Sequence, residues 1–153
     1  MLYLFYFTVV FGLVAFDQLS KYYIVANIPL NSAIDIIPGF FKVTYVQNFG
    51  AGFSILQNQN TLFLIITPIA IIFLCYLLFK TKKGDLFTIS GLLLMIAGAL
   101  GNFIDRVFTV YVVDFLDFVI FGYDFPVFNI ADSFLTIGVF LFIISILKEK
   151  DNA

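Results

Sequence analysis

Long apolar runs separated by short polar segments dominate this chain, and four of the runs are long enough to cross a bilayer. A membrane-spanning helix needs about 20 consecutive, predominantly apolar residues. The four runs cover approximately residues 2–24, 62–79, 86–104 and 128–147. The pattern therefore predicts a membrane protein of mainly α structure, with four transmembrane helices in a single integral-membrane domain, residues 1–153.

The segments between these runs predict a small β-sheet. In the connection of about residues 25–60, the stretch "FFKVTYVQ" alternates apolar and polar side chains, which is the pattern of a strand. The connection of about residues 105–127 contains "VYVVDFLDFVIF", which is apolar but too short to span a bilayer and carries Asp114 and Asp117. We expect this second stretch to be an interfacial loop or helix.

The distribution of lysines predicts the orientation in the membrane. Lys80, Lys82 and Lys83 lie between the second and third helices, and Lys148 and Lys150 follow the fourth. By the positive-inside rule these segments and both termini are cytoplasmic, so the two long connections and the sheet are extracytoplasmic. The central carboxyl groups then lie near the outer face of the membrane: Asp17, Asp105, Asp114 and Asp132.

The first apolar run has an alternative interpretation as a cleaved secretory signal peptide. It lacks a basic first region, and no pair of small residues spaced for cleavage follows it. Asp17 and Lys21 are four residues apart, in the order that favours an ion pair on a helix. We therefore expect a retained helix with a salt bridge near its outer end, which is either structural or part of a site.

The composition of the chain excludes several classes of function and of catalytic chemistry. Hydrophobic residues make up 62% of the chain and charged residues only 12%, and Lys plus Arg number only 8, so a nucleic-acid partner is not expected. With no histidine and one cysteine (Cys75), the chain has no histidine-based triad, no histidine-ligated zinc, no thiolate cluster and no internal disulfide. No ligand-rich cluster suggests Mg²⁺, so we expect neither metal nor cofactor. Acid–base chemistry falls to the aspartates.

The third helix carries small residues that allow close helix contact, with Ala97 four residues before Gly101 and Gly98 four before Asn102. Asn102 and Arg106 share a face of this helix, and Asp105 is in a position to hold the guanidinium of Arg106.

At the start of the fourth helix, Asn129 and Asp132 have the spacing of a helix-capping pair. Each of these features has a structural interpretation as well as a functional one.

Asp114 and Asp132 are the strongest candidates for chemistry because both are embedded in apolar sequence. Two carboxyl groups that share a low-dielectric site do not both ionise easily, which leaves an acid beside a base for activating water. The sequence permits this meeting without requiring it. A proton-coupled transporter using the same aspartates, a Ser/Lys hydrolase with Ser20 or Ser54 and Lys21, and a non-catalytic scaffold remain alternatives.

Five short blocks, in this order, resemble those of the bacterial lipoprotein signal peptidases, also called signal peptidase II. They are "DQLSK" (17–21), "NFGAGFS" (48–54), "GALGNFIDR" (98–106), "VVDF" (112–115) and "FNIADS" (128–133). Each block is weak alone, but the ordered set on a chain with four predicted spans is specific. One departure is Gly52, where the family usually has a second alanine.

The resemblance implies a four-helix aspartyl endopeptidase of the bacterial inner membrane with a small outer sheet, or cradle. It implies a substrate, the prolipoprotein carrying diacylglycerol on a cysteine, which is cut just before that cysteine, and contact with membrane lipid. We expect a monomer. By matching motifs, Asp114 and Asp132 are the catalytic pair. The implied substrate-positioning residues are Asn48, Gly50, Asn102, Arg106 and Asn129, and the implied supporting residues are Asp17, Lys21 and Asp105.

Overall fold

The computed structural model describes residues 1–50 and 55–151, which form four long helices and one four-stranded antiparallel sheet. The helices are α1 (Leu2–Asn27), α2 (Asn60–Lys80), α3 (Leu86–Phe108) and α4 (Ile130–Asp151). The strands are β1 (Ala33–Ile37), β2 (Phe41–Asn48), β3 (Val112–Ile120) and β4 (Tyr123–Asp124). The predicted fold class, four apolar helices with a small sheet, is confirmed.

All four helices are long and apolar enough to cross a membrane, with mean hydropathies of 1.7, 2.8, 1.9 and 2.3 from α1 to α4. Helix α3 is central, because 56% of its apolar window is buried, against 6%, 11% and 17% in α1, α2 and α4. It runs past the predicted stop at Asp105 to end at Phe108. The charge of Asp105 does not end the helix because Lys21 on α1 neutralises it.

Small residues let α3 approach its neighbours closely, as predicted. A Cβ atom added at Gly101 would lie 2.5 Å from a carboxylate oxygen of Asp17 on α1, and one added at Gly98 would overlap the backbone of Ala131 on α4. Further along, a Cβ at Gly91 would lie 2.8 Å from the carbonyl oxygen of Gly138. These contacts bring the backbones of α3 and α4 together along both halves of the helix pair.

The sheet has the order β1-β2-β3-β4. The strand predicted from "FFKVTYVQ" is confirmed as β2. The expectation of an interfacial loop or helix at 110–121 is wrong, because this segment is β3, which pairs with β2 in a register that sets Val46 opposite Asp114. Its Val and Phe residues suit a strand, and pairing satisfies backbone groups that an apolar loop would leave unbonded.

The sheet is fastened to one end of the helix bundle, which we call the sheet end. Phe128, just before α4, exchanges backbone hydrogen bonds with Leu116 of β3, at 2.8 and 3.1 Å. An apolar cluster joins the last turn of α1, including Ile24, to Tyr45 of β2 and Phe115 of β3. As a result, β3 crosses directly over the first turn of α4.

Candidate active site

The first turn of α4 holds Asp132 in a reciprocal capping arrangement. The backbone N–H of Asp132 donates to Asn129 Oδ1 at 2.9 Å, and the backbone N–H of Asn129 donates to Asp132 Oδ2 at 3.2 Å. The capping predicted from the sequence is therefore present. It fixes the carboxylate at the N-terminal end of a helix, where the helix dipole favours negative charge.

Asp114 lies on β3 and is only 2% exposed. Its two oxygens accept hydrogen bonds from two side-chain amides, Asn129 Nδ2 at 2.7 Å and Asn48 Nδ2 at 2.8 Å. Asn48 is the last residue of β2, so the register of β2 against β3 delivers its amide to this carboxyl group. Asn129 thus contacts both aspartates and brings them into one hydrogen-bonded group.

Asn102 on α3 completes this group. Its Nδ2 donates to Asp132 Oδ1 at 2.7 Å, while its Oδ1 accepts from Lys21 Nζ at 3.0 Å and from Asn129 Nδ2 at 3.2 Å. Because Lys21 can only donate, it fixes which side of the Asn102 amide faces Asp132. The side chain predicted to position substrate therefore also positions a carboxylate.

Lys21 is the centre of a buried ionic cluster behind the aspartates. Its Nζ lies 2.9 Å from a carboxylate oxygen of Asp17 and 2.9 Å from one of Asp105, so the predicted Asp17–Lys21 salt bridge is confirmed. Asp17 also accepts from the backbone N–H of Ala131 at 2.9 Å, and Asp105 from that of Val113 at 3.2 Å. The cluster therefore holds the residue before Asp132 and the residue before Asp114.

The expectation that Asp105 holds the guanidinium of Arg106 is corrected, because the Asp105 carboxylate binds Lys21 and the Val113 backbone. Arg106 donates instead to the carbonyl oxygens of Gly50 at 2.9 Å and of Asn102 at 3.3 Å. Its guanidinium also lies over the Phe63 ring of α2, 4.5 Å from the ring centre. Arg106 thus joins the loop after β2 to the helix bundle.

A cavity of about 550 Å³ opens beside the aspartates. Five of the predicted site residues line it: Asn48, Asn102, Arg106, Asp114 and Asp132. Its apolar wall includes Val112, Phe125, Phe128, Leu135 and Ile137. Behind this surface lie the other predicted side chains: Asp17, Lys21, Asp105 and the fully buried Asn129. The backbone N–H of Gly50 donates a hydrogen bond to Asn48 Oδ1 at 2.9 Å, so Gly50 is held next to a residue that lines the cavity. Gly52 and Ser54 fall outside the described residues.

The electrostatics of the site favour one retained proton. Burial first, and the nearby Asp132 second, raise the pKa of Asp114 from an ordinary 3.8 to about 7, against the opposing hydrogen bonds from Asn48 and Asn129. A carboxyl group with such a pKa is poised for proton transfer near neutral pH. Within the described ranges, no group of three or more Asp, Glu, His or Cys side chains is arranged to hold a metal ion.

Comparison with known proteins connects this geometry to a family. The family model described as signal peptidase (SPase) II matches residues 9–148. The lipoprotein signal peptidases of Staphylococcus aureus strains MRSA252 and JH9 are each 50% identical over 139 residues, which cover 91% of this chain and 85% of theirs. The chain belongs to the signal peptidase II family.

Solved structures agree with this assignment. One described as "Bacterial membrane enzyme structure by the in meso method at 2.3 A resolution" is 48% identical, with a TM-score of 0.90, and covers 96% of this chain and 90% of that one. A second structure, described in the same words at 1.9 A resolution, is also 48% identical and has a TM-score of 0.82. The match covers 94% of this chain and 92% of that one. The chain is thus a multi-pass bacterial membrane peptidase that removes signal peptides from prolipoproteins, and the transporter alternative is not favoured.

Sequence reasoning missed two members of this candidate site. Gln18 donates from Nε2 to Asp105 Oδ1 at 2.9 Å and to Gly101 O at 3.1 Å, although within "DQLSK" only its neighbours were singled out. Ala131 contributes a backbone N–H, which side-chain chemistry cannot reveal. The available signal for both was their position inside motifs that carry the resemblance to signal peptidase II.

Proposed function

We propose that this chain is an aspartyl endopeptidase whose catalytic pair is Asp114 and Asp132. Its substrate is a prolipoprotein carrying diacylglycerol on a cysteine, and it cuts the bond just before that cysteine. One observation carries the proposal: the buried carboxyl group of Asp114 and the half-buried one of Asp132, joined through the Asn129 and Asn102 amides, line the same cavity.

Asp132 suits the role of general base. Its carboxylate accepts two hydrogen bonds, from Asn102 Nδ2 and the Asn129 backbone, and it lies in the first turn of α4. Hydrogen-bond donors and a helix N-terminus both stabilise the ionised form of a carboxylate. An ionised Asp132 takes a proton from water as the water oxygen attacks the carbonyl carbon of the substrate.

Asp114 suits the role of general acid, because a pKa of about 7 lets it hold a proton near neutral pH. It gives that proton to the carbonyl oxygen as the tetrahedral intermediate forms. When the carbon–nitrogen bond breaks, Asp132 passes its proton to the leaving amine and Asp114 recovers its own from the hydroxyl group. Both carboxyl groups then return to their starting states.

A shortage of positive charge near Asp114 and Asp132 supports the assignment of one ionised and one protonated carboxyl group. Four carboxyl groups, those of Asp17, Asp105, Asp114 and Asp132, share the region with two cations. Lys21 is engaged by Asp17 and Asp105, and Arg106 lines the cavity with the catalytic pair. Full ionisation would leave buried negative charge uncompensated, so a proton on one of the two aspartates is favoured.

The apolar wall of the cavity suits a substrate that remains partly in lipid. Ile137 on α4 lines the cavity and is 50% exposed on the surface of the bundle, so the wall is continuous with a membrane-facing surface. The signal peptide and acyl chains would stay in the bilayer while the scissile bond reaches the aspartates. We further propose that both termini are cytoplasmic, that the site is near the outer face, and that the enzyme acts as a monomer.

The test compares cleavage of a lipidated and an unlipidated precursor by the purified protein in lipid. We expect only the lipidated precursor to be shortened, and the Asp114→Asn variant to lose cleavage. Asp117→Asn is the matched control, because Asp117 lies on the same strand but pairs with Lys42 at 3.7 Å, away from the cavity. Normal turnover by Asp114→Asn would remove Asp114 from the catalytic pair.

A further inference from the structure

A second cavity, of about 330 Å³, adjoins the first one at Asp114. The two cavities share Asn48, Asp114, Pro126 and Val127, and only the first includes Asp132 among its lining residues. Asp114 therefore lies at the boundary between them. A peptide bound with its scissile bond at the aspartates has chain on both sides of that bond, so the adjoining cavity is within reach of one side.

The linings of the two cavities differ in chemistry. Helix α4 gives the first cavity an apolar wall with Leu135 and Ile137, whereas the second adds the side-chain amides of Gln47 and Gln57 to that of Asn48, which lines both. Amide side chains both donate and accept hydrogen bonds, which matches the N–H and C=O groups of an extended peptide. The second cavity is therefore suited to polar polypeptide and the first to apolar segments.

Gln57 is held in place against the loop that follows β2. The backbone N–H of Asn58 donates to the carbonyl oxygen of Phe49 at 3.0 Å. A Cβ atom added at Gly50 would lie 2.7 Å from Gln57 Nε2, so the side chain of Gln57 packs directly on the backbone of Gly50. Arg106 in turn binds the carbonyl oxygen of Gly50 at 2.9 Å. Gln57 is an exposed residue and lines the second cavity, where a ligand can reach it.

We propose that the second cavity is the subsite for the polypeptide that follows the lipidated cysteine, and that Gln57 hydrogen-bonds its backbone. This inference rests on the proposed function. The segment before the cut belongs to an apolar signal peptide, which suits the lipid-facing cavity. The segment after the lipidated cysteine belongs to the released protein, and its polar backbone groups need partners when they leave water.

The experiment uses two synthetic substrates with the same signal peptide and the same diacylglyceryl cysteine. One ends at the amidated cysteine and the other continues for several polar residues. For the parent enzyme we expect the extension to lower KM about fivefold at unchanged kcat, the effect of roughly one hydrogen bond. Gln57→Leu should lose this difference while cleaving the short substrate as the parent does.

Gln59→Leu is the matched control, since Gln59 is an exposed glutamine two positions away whose side chain makes no capping bond to α2. It should keep the full benefit of the extension. The inference is overturned if the parent gains nothing from the extension, if Gln57→Leu retains the gain, or if Gln57→Leu slows both substrates equally. Failure of the parent to cleave either substrate would overturn the proposed function itself, and this inference with it.

Discussion

Two polar clusters join α3 to α4, one at the sheet end and one at the opposite end, and they behave differently. At the opposite end, Asp85 caps α3 by accepting from the backbone N–H of Thr88 at 3.1 Å. Ser145 of α4 donates to both Asp85 oxygens at 3.3 Å and is in close contact with the Thr88 hydroxyl. This Asp85 cluster is a helix cap extended across to the neighbouring helix.

The contrast lies in what surrounds the carboxyl group. Although burial raises the pKa of Asp85, hydrogen bonds from Thr88 and Ser145 outweigh it, and the pKa falls below its usual value. At Asp114, burial and the nearby Asp132 outweigh two amide hydrogen bonds, and the pKa rises to about 7. A carboxyl group between membrane helices is therefore not a catalytic candidate by position alone. A second acid close by, Asp132, and an adjoining cavity distinguish the sheet end.

The largest expected effect is on kcat, which should depend on the cluster at the sheet end and not on the Asp85 cluster. Asp132→Asn should lower kcat at least about a thousandfold, because the base that takes the water proton is lost. Asp85→Asn, the same change in the other cluster, should change kcat less than about twofold. Turnover of the lipidated precursor by each purified variant measures both. A severe loss in Asp85→Asn would mean that the two ends are not functionally distinct.

The next effect concerns stability. Lys21→Met should lower the free energy of unfolding by about 3–5 kcal/mol, because Asp17 and Asp105 would keep buried charge without their cation. Lys83→Met, at an exposed lysine near the Asp85 cluster, should stay within about 0.5 kcal/mol of the parent. Denaturant unfolding in detergent gives the comparison. Equal stability of the two variants would contradict the importance assigned to the buried ions.

A smaller effect tests close packing at each end of the helix pair. Gly101→Ala and Gly91→Ala each place a Cβ within 2.8 Å of a neighbouring atom, Asp17 Oδ2 and Gly138 O respectively. Each should cost about 1–3 kcal/mol of stability. Only Gly101→Ala should also slow cleavage, by about tenfold, because Asp17 holds the Ala131 N–H beside Asp132. Similar kcat losses in both variants would contradict this prediction. They would show that α4 moves as a rigid body, so that a displacement at either end reaches the site.

The smallest expected effect is a shift in pH dependence. Because Asp114 must be protonated to act as the acid, kcat/KM should fall as the pH rises through about 7, by about tenfold per unit beyond it. Asn48→Ala removes a hydrogen bond that lowers this pKa, so the fall should move to higher pH. Asp85→Asn should leave the profile in place. A parent profile that stays flat to pH 9 would contradict the assignment of Asp114 as the acid.

The accuracy of the sequence-based predictions follows the range of the interactions involved. The helices were predictable because hydropathy over about 20 residues is a local property. Strand β2 was recognised by its alternation. Strand β3 was not, because Val112–Ile120 is apolar on both faces apart from Asp114 and Asp117, and only its pairing with β2 distinguishes it from an interfacial segment. The preference of Asp105 for Lys21 over its neighbour Arg106 likewise depends on how α1 packs against α3.

The sequence by itself determined that this protein is embedded in a lipid bilayer, how many long helices it has and which residue type is available for catalysis. A chain without histidine, with carboxyl groups set in apolar segments, favours aspartate for the acid–base chemistry that we propose. Only the tertiary structure decided which amides reach which carboxyl groups. Asn48 meets Asp114 through the register of β2 and β3, and Asn102 meets Asp132 through the packing of α3 on α4. Side-chain hydrogen bonds are a few ångströms long, so they depend on positions that no local pattern specifies.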